Sequence, residues 1–371
     1  MSKGRILVIG GGIAGLSTAW ALNKRGFDVE LFEQGPLPHP RASSYDEHRI
    51  IRHAYGEFEG YAYLMPQAFE LWGALWADIG AVHYDKMPAI YFMREETNWY
   101  EPTIRTLREM RVAHHDISLG DVASLYPMIR SDGLSRVLHT EGAGVLYPIR
   151  ILTDLVSLLG RNGVKLHPDT KVESVDLEAG TVRTGAGDFK GDAVVIAAGA
   201  WVTHLVPSLA GIAVPSRQAV MFLSPPEKLA AAWRNAPVLL DIGIESGTYA
   251  LPPRPGTRLK IGDHEFTRKG HPDDDRYGTD EDVARLNIAA RLAWADFDKY
   301  TVLERKVCYY TVTHDEGFLV RREGAKGWLS SACSGHGFKM GPLMGDAIAA
   351  AIAGERDADI LPAWAGGLMA A

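Results

Sequence analysis

Three glycines near the N-terminus have the spacing of a phosphate-binding turn. Gly10, Gly12 and Gly15 form G-x-G-x-x-G. The first glycine of such a turn permits a sharp change of direction. The second lets the backbone approach a pyrophosphate, and the third lets the following helix pack close to the preceding strand. The helix start then offers free N–H groups and partial positive charge to the phosphates. Glu33 stands 23 residues after Gly10, where a carboxylate accepts hydrogen bonds from ribose hydroxyls. An acid at that place argues against a 2′-phosphate, so FAD or NAD is preferred over NADP. With 39 glycines in 371 residues the spacing alone is a weak signal, and its context strengthens it. Residues 6–9 are a short apolar run suited to a buried parallel strand, residues 16–26 read as a helix ended by Gly26, and residues 28–33 read as a second strand.

The remaining elements must complete and position such a site. A second buried strand is expected in 192–201, where Gly199 again allows close backbone approach to a ligand. Residues 35–40 form a proline-rich loop, followed by a stretch to Gly56 dense in cationic and aromatic groups. Helical spacing predicts helices over 63–79, 102–111 and 149–162, with a short one over 121–126. Alternation predicts strands over 82–93 and 164–167, and a small meander over 172–175, 181–183 and 188–190. Residues 216–318 alternate strands with Pro- and Gly-rich turns, plus a helix near 280–294. A strand at 328–332, the turn Cys333-Ser-Gly-His-Gly-Phe-Lys339 and an Ala-rich helix at 342–353 follow. The expected fold is α/β. A Rossmann-like nucleotide-binding domain (1–82, 145–215 and 320–371) carries an inserted, mostly antiparallel β-sheet substrate domain (83–144 and 216–319).

Composition excludes several classes of function. With 46% hydrophobic and 23% charged residues the chain is ordinary for a globular protein. A formal net charge of −7 gives no reason to expect nucleic acid. Two cysteines, Cys308 and Cys333, exclude a disulfide framework and suit a reducing, cytoplasmic compartment. No apolar run reaches membrane-spanning length, and the first apolar run is the nucleotide-binding strand rather than a signal peptide. No metal site is expected.

Six motifs, in order, carry a resemblance. They are Gly10-x-Gly-x-x-Gly15, Arg49-Ile-Ile-Arg-His-Ala-Tyr-Gly56, Ala198-Gly-Ala-Trp201, Leu259-Lys-Ile-Gly-x-His264, Cys308-Tyr-Tyr-Thr-x-Thr-x-Asp315 and Ser334-Gly-His-Gly-Phe-Lys339. Over nearly its whole length the chain resembles the D-amino-acid-oxidase superfamily of flavoproteins, and within it the monomeric sarcosine oxidases and N-methyltryptophan oxidases. The resemblance implies oxidation of a secondary amine by FAD, with molecular oxygen as electron acceptor, hydrogen peroxide as product and a monomeric enzyme.

The resemblance also assigns roles. Cys308 matches the cysteine bonded to the flavin 8α-methyl carbon, a reaction helped by nearby cations that favour the thiolate. Cys333 reads as packing. Lys260 matches the lysine that promotes reaction with oxygen, because a fixed cation stabilises superoxide. Arg52 and Lys339 match the pair that binds the substrate carboxylate, the first as a bidentate fork and the second as a point charge. Arg49 matches a residue held against the flavin. Tyr249 and His264 match the lining of the substrate side, Tyr310 an aromatic two places after the cysteine, and His336 a support for the turn that presents Lys339. Further cofactor contacts are implied for Ile13, Ala14, Ser43, Val172, Trp201, Gly335, Gly337 and Phe338. Thr248, Leu240 and Met221 are added as pocket candidates, and no carboxylate base is evident in this cationic site.

Some residues depart from the pattern. Family members often carry histidines and a glycine before Arg-Ile-Ile-Arg, where this chain has Ser43-Ser-Tyr-Asp-Glu-His48. Asp263 and Glu265 flank His264, and Met340 follows Lys339 in place of a Ser-rich run. The alternative is therefore a related flavoenzyme acting on a larger or primary amino acid, as a biosynthetic oxidase or as a dehydrogenase feeding a quinone. A non-catalytic flavin-binding protein fits less well, because the cations are all retained.

Overall fold

The computed structural model describes residues 2–94, 98–331 and 333–369. A six-stranded sheet runs in the order Leu319–Glu323, Gly327–Ser331, Ala193–Ile196, Arg5–Ile9, Asp28–Phe32, Lys165–His167. Its pairs are parallel except the first. Successive side chains point to opposite faces, and both faces are covered. Ile6 and Val8 pack with residues of helices Ile13–Lys24, Pro148–Arg161 and Gly341–Ile352. Leu7 and Ile9 pack with Val172 and Val182 of a three-stranded antiparallel sheet, Val172–Asp176, Thr181–Thr184 and Gly187–Lys190. Helices Ile13–Lys24 and Gly341–Ile352 approach closely at Gly345, where a Cβ would lie 2.6 Å from the Ser17 carbonyl carbon.

The second sheet has nine strands. Its path is Thr301–Val312, Val214–Ser224, Leu259–Asp263, Thr248–Leu251, Val238–Ile242, Tyr84–Met93, Arg136–Leu146, Arg49–Ile51, and His114–Asp116 pairs with Arg136–Leu146. Pairing is antiparallel except between Tyr84–Met93 and Val238–Ile242. This is a Rossmann-like nucleotide-binding layer with a mostly antiparallel sheet inserted, as expected. No described helix is long and apolar enough to cross a membrane.

Local structure departs from the sequence expectation in a few places. Arg49–Ile51, which sequence position assigns to the nucleotide-binding part, is an edge strand of the nine-stranded sheet. Leu319–Glu323 and His114–Asp116 are further short strands without a sequence signal. Helix Glu227–Asn235 is also unanticipated, although it follows Pro226, uses strong helix formers and buries Leu229 and Trp233 four residues apart. The long helix begins at Glu59 rather than 63. Of the expected strand 328–332, Ala332 lies outside the described residues.

Candidate active site

A long cavity runs from the glycine turn to the nine-stranded sheet. At one end its walls are Gly10, Gly12, Ile13, Ala14, Glu33, Val172, Gly199 and Trp201. At the other they are Ser43, Arg49, Tyr310, Cys333, Gly335, Gly337 and Phe338. A smaller cavity continues from that second end, lined by Ile50, Arg52, Tyr249, Leu251, Lys260, His264, His336 and Lys339. Arg49, Tyr310, Gly335 and Phe338 border both cavities and form the seam between them.

The first end is built of bare backbone and one carboxylate. Gly10 adopts φ +109° and Gly199 φ +53°, conformations that side chains resist. A Cβ on Gly12 would reach within 3.3 Å of Ser44 Oγ, which itself accepts the Ile13 N–H at 3.0 Å. Glu33 accepts the Gly11 N–H at 2.7 Å and the Gly35 N–H at 3.2 Å, and lies 3.0 Å from His39 Nδ1. Strand Asp28–Phe32 therefore delivers a carboxylate locked to the glycine turn, with capacity left for ribose hydroxyls. Ser44 and His39, both on the cavity wall, were not anticipated.

Strand register arranges the other end. Tyr249 pairs with Gly262, Leu251 and Phe222 with Lys260, Gln218 with Cys308 and Ser216 with Tyr310. Cross-strand partners share a face, so Tyr249, Lys260, Gly262, Cys308 and Tyr310 all lie on the face toward the cavities. His264 continues the alternation, its ring 5.5 Å from that of Tyr249. Gly262 makes room for this pair, since a Cβ there would sit 2.5 Å from the Tyr249 hydroxyl.

The same register corrects three expectations. Thr248 pairs with Asp263 and Met221 with Ile261, which puts all four on the opposite face. Met221 packs there with Trp233 and Leu286, and neither it nor Thr248 lines the pocket. Asp263 forms an ion pair with Arg285 on that side, so its carboxylate does not line the pocket. Leu240 shares the Tyr249 face and packs beside it without reaching the cavity. Cys333 is a cavity wall rather than packing, because Ser334 (φ +40°) and Gly335 (φ +77°) turn the chain along the cavity. Cys308 borders neither cavity among the described walls, although Tyr310 two residues on borders both. Burial pushes the Cys308 thiol up, opposed by Arg49.

A carboxylate does stand in the cationic site, and it is Asp46. Its Oδ2 lies 2.8 Å from Lys260 Nζ and 3.2 Å from Arg49 Nη1. Lys260 also donates to the His48 carbonyl at 2.7 Å, and Arg49 Nη2 to the Ser43 carbonyl at 2.7 Å. Burial opposes the charge on Asp46, but Lys260, Arg49 and Lys306 hold its carboxyl far below the usual range. Burial opposes that on Arg49 as well, and Asp46 keeps it firmly protonated. Tied in this way, Asp46 is not a free base.

Arg52 and Lys339 have no carboxylate partner among the described residues. Among the described residues the Arg52 Nη1 is buried without a hydrogen bond, and Lys339 Nζ donates to the His336 carbonyl at 3.4 Å. Both cations flank the Tyr55 ring, at 4.9 and 5.1 Å from its centroid. Burial, with Arg52 and Arg49 nearby, pulls Lys339 well below its ordinary value. Enclosure and the same two cations, Arg52 and Lys339, lower His264 to about 3, so its ring is neutral. Such a pocket is short of one negative charge.

The chain matches the model of the FAD dependent oxidoreductase family across residues 5–351. It belongs to that family. It is 26% identical over 370 residues to the monomeric sarcosine oxidase of Arthrobacter sp., covering 96% of this chain and 94% of the relative. It is 28% identical to the peroxisomal sarcosine oxidase of Mus musculus, covering 91% and 89%. Among solved structures, L-proline dehydrogenase from P. horikoshii superposes with a TM-score of 0.83 at 19% identity, over 99% of this chain and 97% of that one, a likeness of fold. The cavity of this FAD dependent oxidoreductase fits its cofactor. The bare backbone at Gly10, Gly12 and Gly199 suits a pyrophosphate, Glu33 suits a ribose, and the cations Arg49 and Lys260 suit an electron-accepting ring at the seam.

Proposed function

We propose that this FAD-dependent enzyme oxidises a small secondary-amine amino acid, N-methylated like sarcosine or cyclic, to its imine, and reduces oxygen to hydrogen peroxide. What carries the reading is the pair Arg52 and Lys339, a buried guanidinium and a buried amine without a carboxylate partner among the described residues, in a pocket that opens onto the cofactor cavity. A substrate carboxylate supplies the missing charge.

The residues then act as follows. Arg52 grips the carboxylate as a fork and Lys339 as a point charge, which fixes the amine-bearing carbon toward the seam. Tyr249, Leu251 and His264 close the sides. The surrounding cations disfavour an ammonium, so the substrate amine gives its proton to water as it binds, and its lone pair assists departure of hydride from the adjacent carbon. Neither neutral His264 nor Asp46, held by Lys260, is asked to take that proton. FAD, when bound, supplies the two-electron acceptor. Lys260 stabilises the negative charge that develops on oxygen. The imine hydrolyses in water. Cys308 is the residue that would hold the cofactor covalently, a reading supported by its motif and by the charge of Arg49 acting on it. The relatives named monomeric sarcosine oxidase support a monomer, and the two cysteines support a cytoplasmic location.

The test is anaerobic bleaching of the flavin absorbance by a panel of amines: sarcosine, other N-methyl amino acids, proline, pipecolate, and primary D- and L-amino acids. Fast bleaching by an N-methyl or cyclic amino acid is expected. Bleaching by primary amines alone moves the assignment to a primary amino acid oxidase, and bleaching by amines that lack a carboxylate removes its basis.

A further inference from the structure

We infer that Asp46 is the positioning residue that keeps Lys260 charged, and that it thereby sets the pH range over which the reduced enzyme passes electrons to oxygen. The second half of this inference rests on the oxidase reading above. The first half rests on the contact between Asp46 and a fully buried Lys260, and does not need that reading.

Lys260 is fully buried on the cavity face of strand Leu259–Asp263. Its cross-strand neighbours, Leu251 and Phe222, are apolar and offer it nothing. Charged and titratable groups reach it from three directions. The segment before Arg49–Ile51 brings Asp46, Arg49 and the His48 ring. Strand Thr301–Val312 brings Cys308, and also Lys306, which acts on Asp46. Strand Thr248–Leu251 brings Tyr249, which senses both Arg49 and Asp46. Among these groups Asp46 is the one carboxylate. Its contact of 2.8 Å, with the His48 carbonyl at 2.7 Å, supplies acceptors that a buried ammonium needs.

Removing that acid leaves Lys260 enclosed beside Arg49. A buried cation without a counter-charge releases its proton. Even with Asp46 in place, burial brings Lys260 from 10.5 down to about 8, and Arg49 adds to the fall.

The experiment uses the holoenzyme and the variants Asp46→Asn, Lys260→Met and the double Asp46→Asn/Lys260→Met. Each is reduced with dithionite under argon and mixed with oxygenated buffer from pH 6 to 10, and reoxidation is read from flavin absorbance. The wild-type rate should decline above pH about 8. In Asp46→Asn the decline should begin at least one unit lower, giving a rate at pH 8 down about fivefold for the first unit of displacement and about tenfold for each further unit. The double variant should match Lys260→Met. An unchanged limb in Asp46→Asn, or effects that add in the double variant, overturns the inference.

Urea unfolding supplies a readout independent of turnover. A lysine that binds protons less tightly in the folded state makes stability rise with pH between its folded and unfolded values. Asp46→Asn should therefore gain stability between pH 6 and 8 by an increment absent from wild type and absent from the double variant. No such increment overturns the first half. Lys260→Met reoxidising at the wild-type rate overturns the oxygen half and leaves the urea series to decide the first. If Asp46→Asn is insoluble, Asp46→Glu takes its place: it keeps an acid for Arg49 but moves the carboxylate relative to Lys260, so its alkaline limb should shift while the double Asp46→Glu/Lys260→Met matches Lys260→Met, and additive effects in that double variant overturn the pairing.

Discussion

The indole N–H of Trp72 donates to the main-chain carbonyl of Lys339 at 2.8 Å, a buried bond between residues 267 apart in sequence. Helix Glu59–Ile79 thereby holds the turn that carries Lys339, one of the two side chains proposed to bind the substrate carboxylate. Trp72→Phe keeps an aromatic ring, smaller than the indole, and deletes the donor, leaving the Lys339 carbonyl without that bond at a cost of about 1–3 kcal/mol. The expected outcome is a lower Tm and a KM for the amino acid raised by roughly tenfold, with kcat nearly unchanged. A fall in kcat alone contradicts a positioning role.

Arg52 and Lys339 should discriminate charge rather than size. Arg52→Met or Lys339→Met is expected to raise KM for an amino acid by about 100-fold, equivalent to about 3 kcal/mol. The amide of the same amino acid should lose little in either variant. Equal losses for acid and amide would remove the carboxylate from this pocket.

Gly262 and Tyr249 are coupled by space. Gly262→Ala places a Cβ 2.5 Å from the Tyr249 hydroxyl and should push that ring against His264. Activity is expected to fall, and Tyr249→Phe in the same chain should recover part of the loss by deleting the colliding oxygen. Steady-state kinetics on the two single variants and the double reads this as a non-additive pair.

The cysteines separate by acid precipitation. Wild-type enzyme and Cys333→Ser should give yellow pellets, and Cys308→Ser a colourless pellet with FAD in the supernatant. Free FAD from the wild type contradicts covalent attachment, and retention in Cys308→Ser would transfer the bond to Cys333, which does border the cavity.

His48 is buried and its proton affinity is low. Burial, with Lys260 nearby, lowers it to about 3 from 6.5. The unfolded chain therefore binds more protons between those values, so this contribution is full above pH 6.5 and is lost as pH falls toward 3. His48→Gln should flatten the stability profile between pH 6 and 4 by about 1.4 kcal/mol per pH unit. Urea midpoints at pH 4, 5 and 6 check it, and an unchanged slope contradicts burial of a neutral ring.

Much of the nucleotide end was legible because it is local. The turn Gly10–Gly15, its flanking strand and helix, and Glu33 lie within about thirty residues, and each carries its reason in its own side chain. The catalytic end was legible only where a motif marks it. Period two already separates Thr248 from Tyr249, since neighbours on a strand cannot share a face. Met221 could be excluded only from the pairing of strand Val214–Ser224 with Leu259–Asp263, a register that depends on distant turns. Asp46 stood in plain view, but its partner Lys260 lies 214 residues away, and no spacing rule connects them. The helix Glu227–Asn235 was missed for a different reason: proline and glycine punctuation around it outweighed its own propensity.

The walls of the long cavity come from residues 9–49, 170–205 and 310–344, brought together from both ends of the chain. A ribosome delivers these pieces in order, so the glycine turn emerges long before Phe338 and Met344 can meet it. Until then the helix Ile13–Lys24 lacks its packing partner Gly341–Ile352. Loading of the cofactor is thus a late event, governed by completion of the polypeptide rather than by the early appearance of its binding motif. Nascent chains stalled at 319 should leave added FAD fluorescent and unquenched, and chains extended through helix Gly341–Ile352 should capture it.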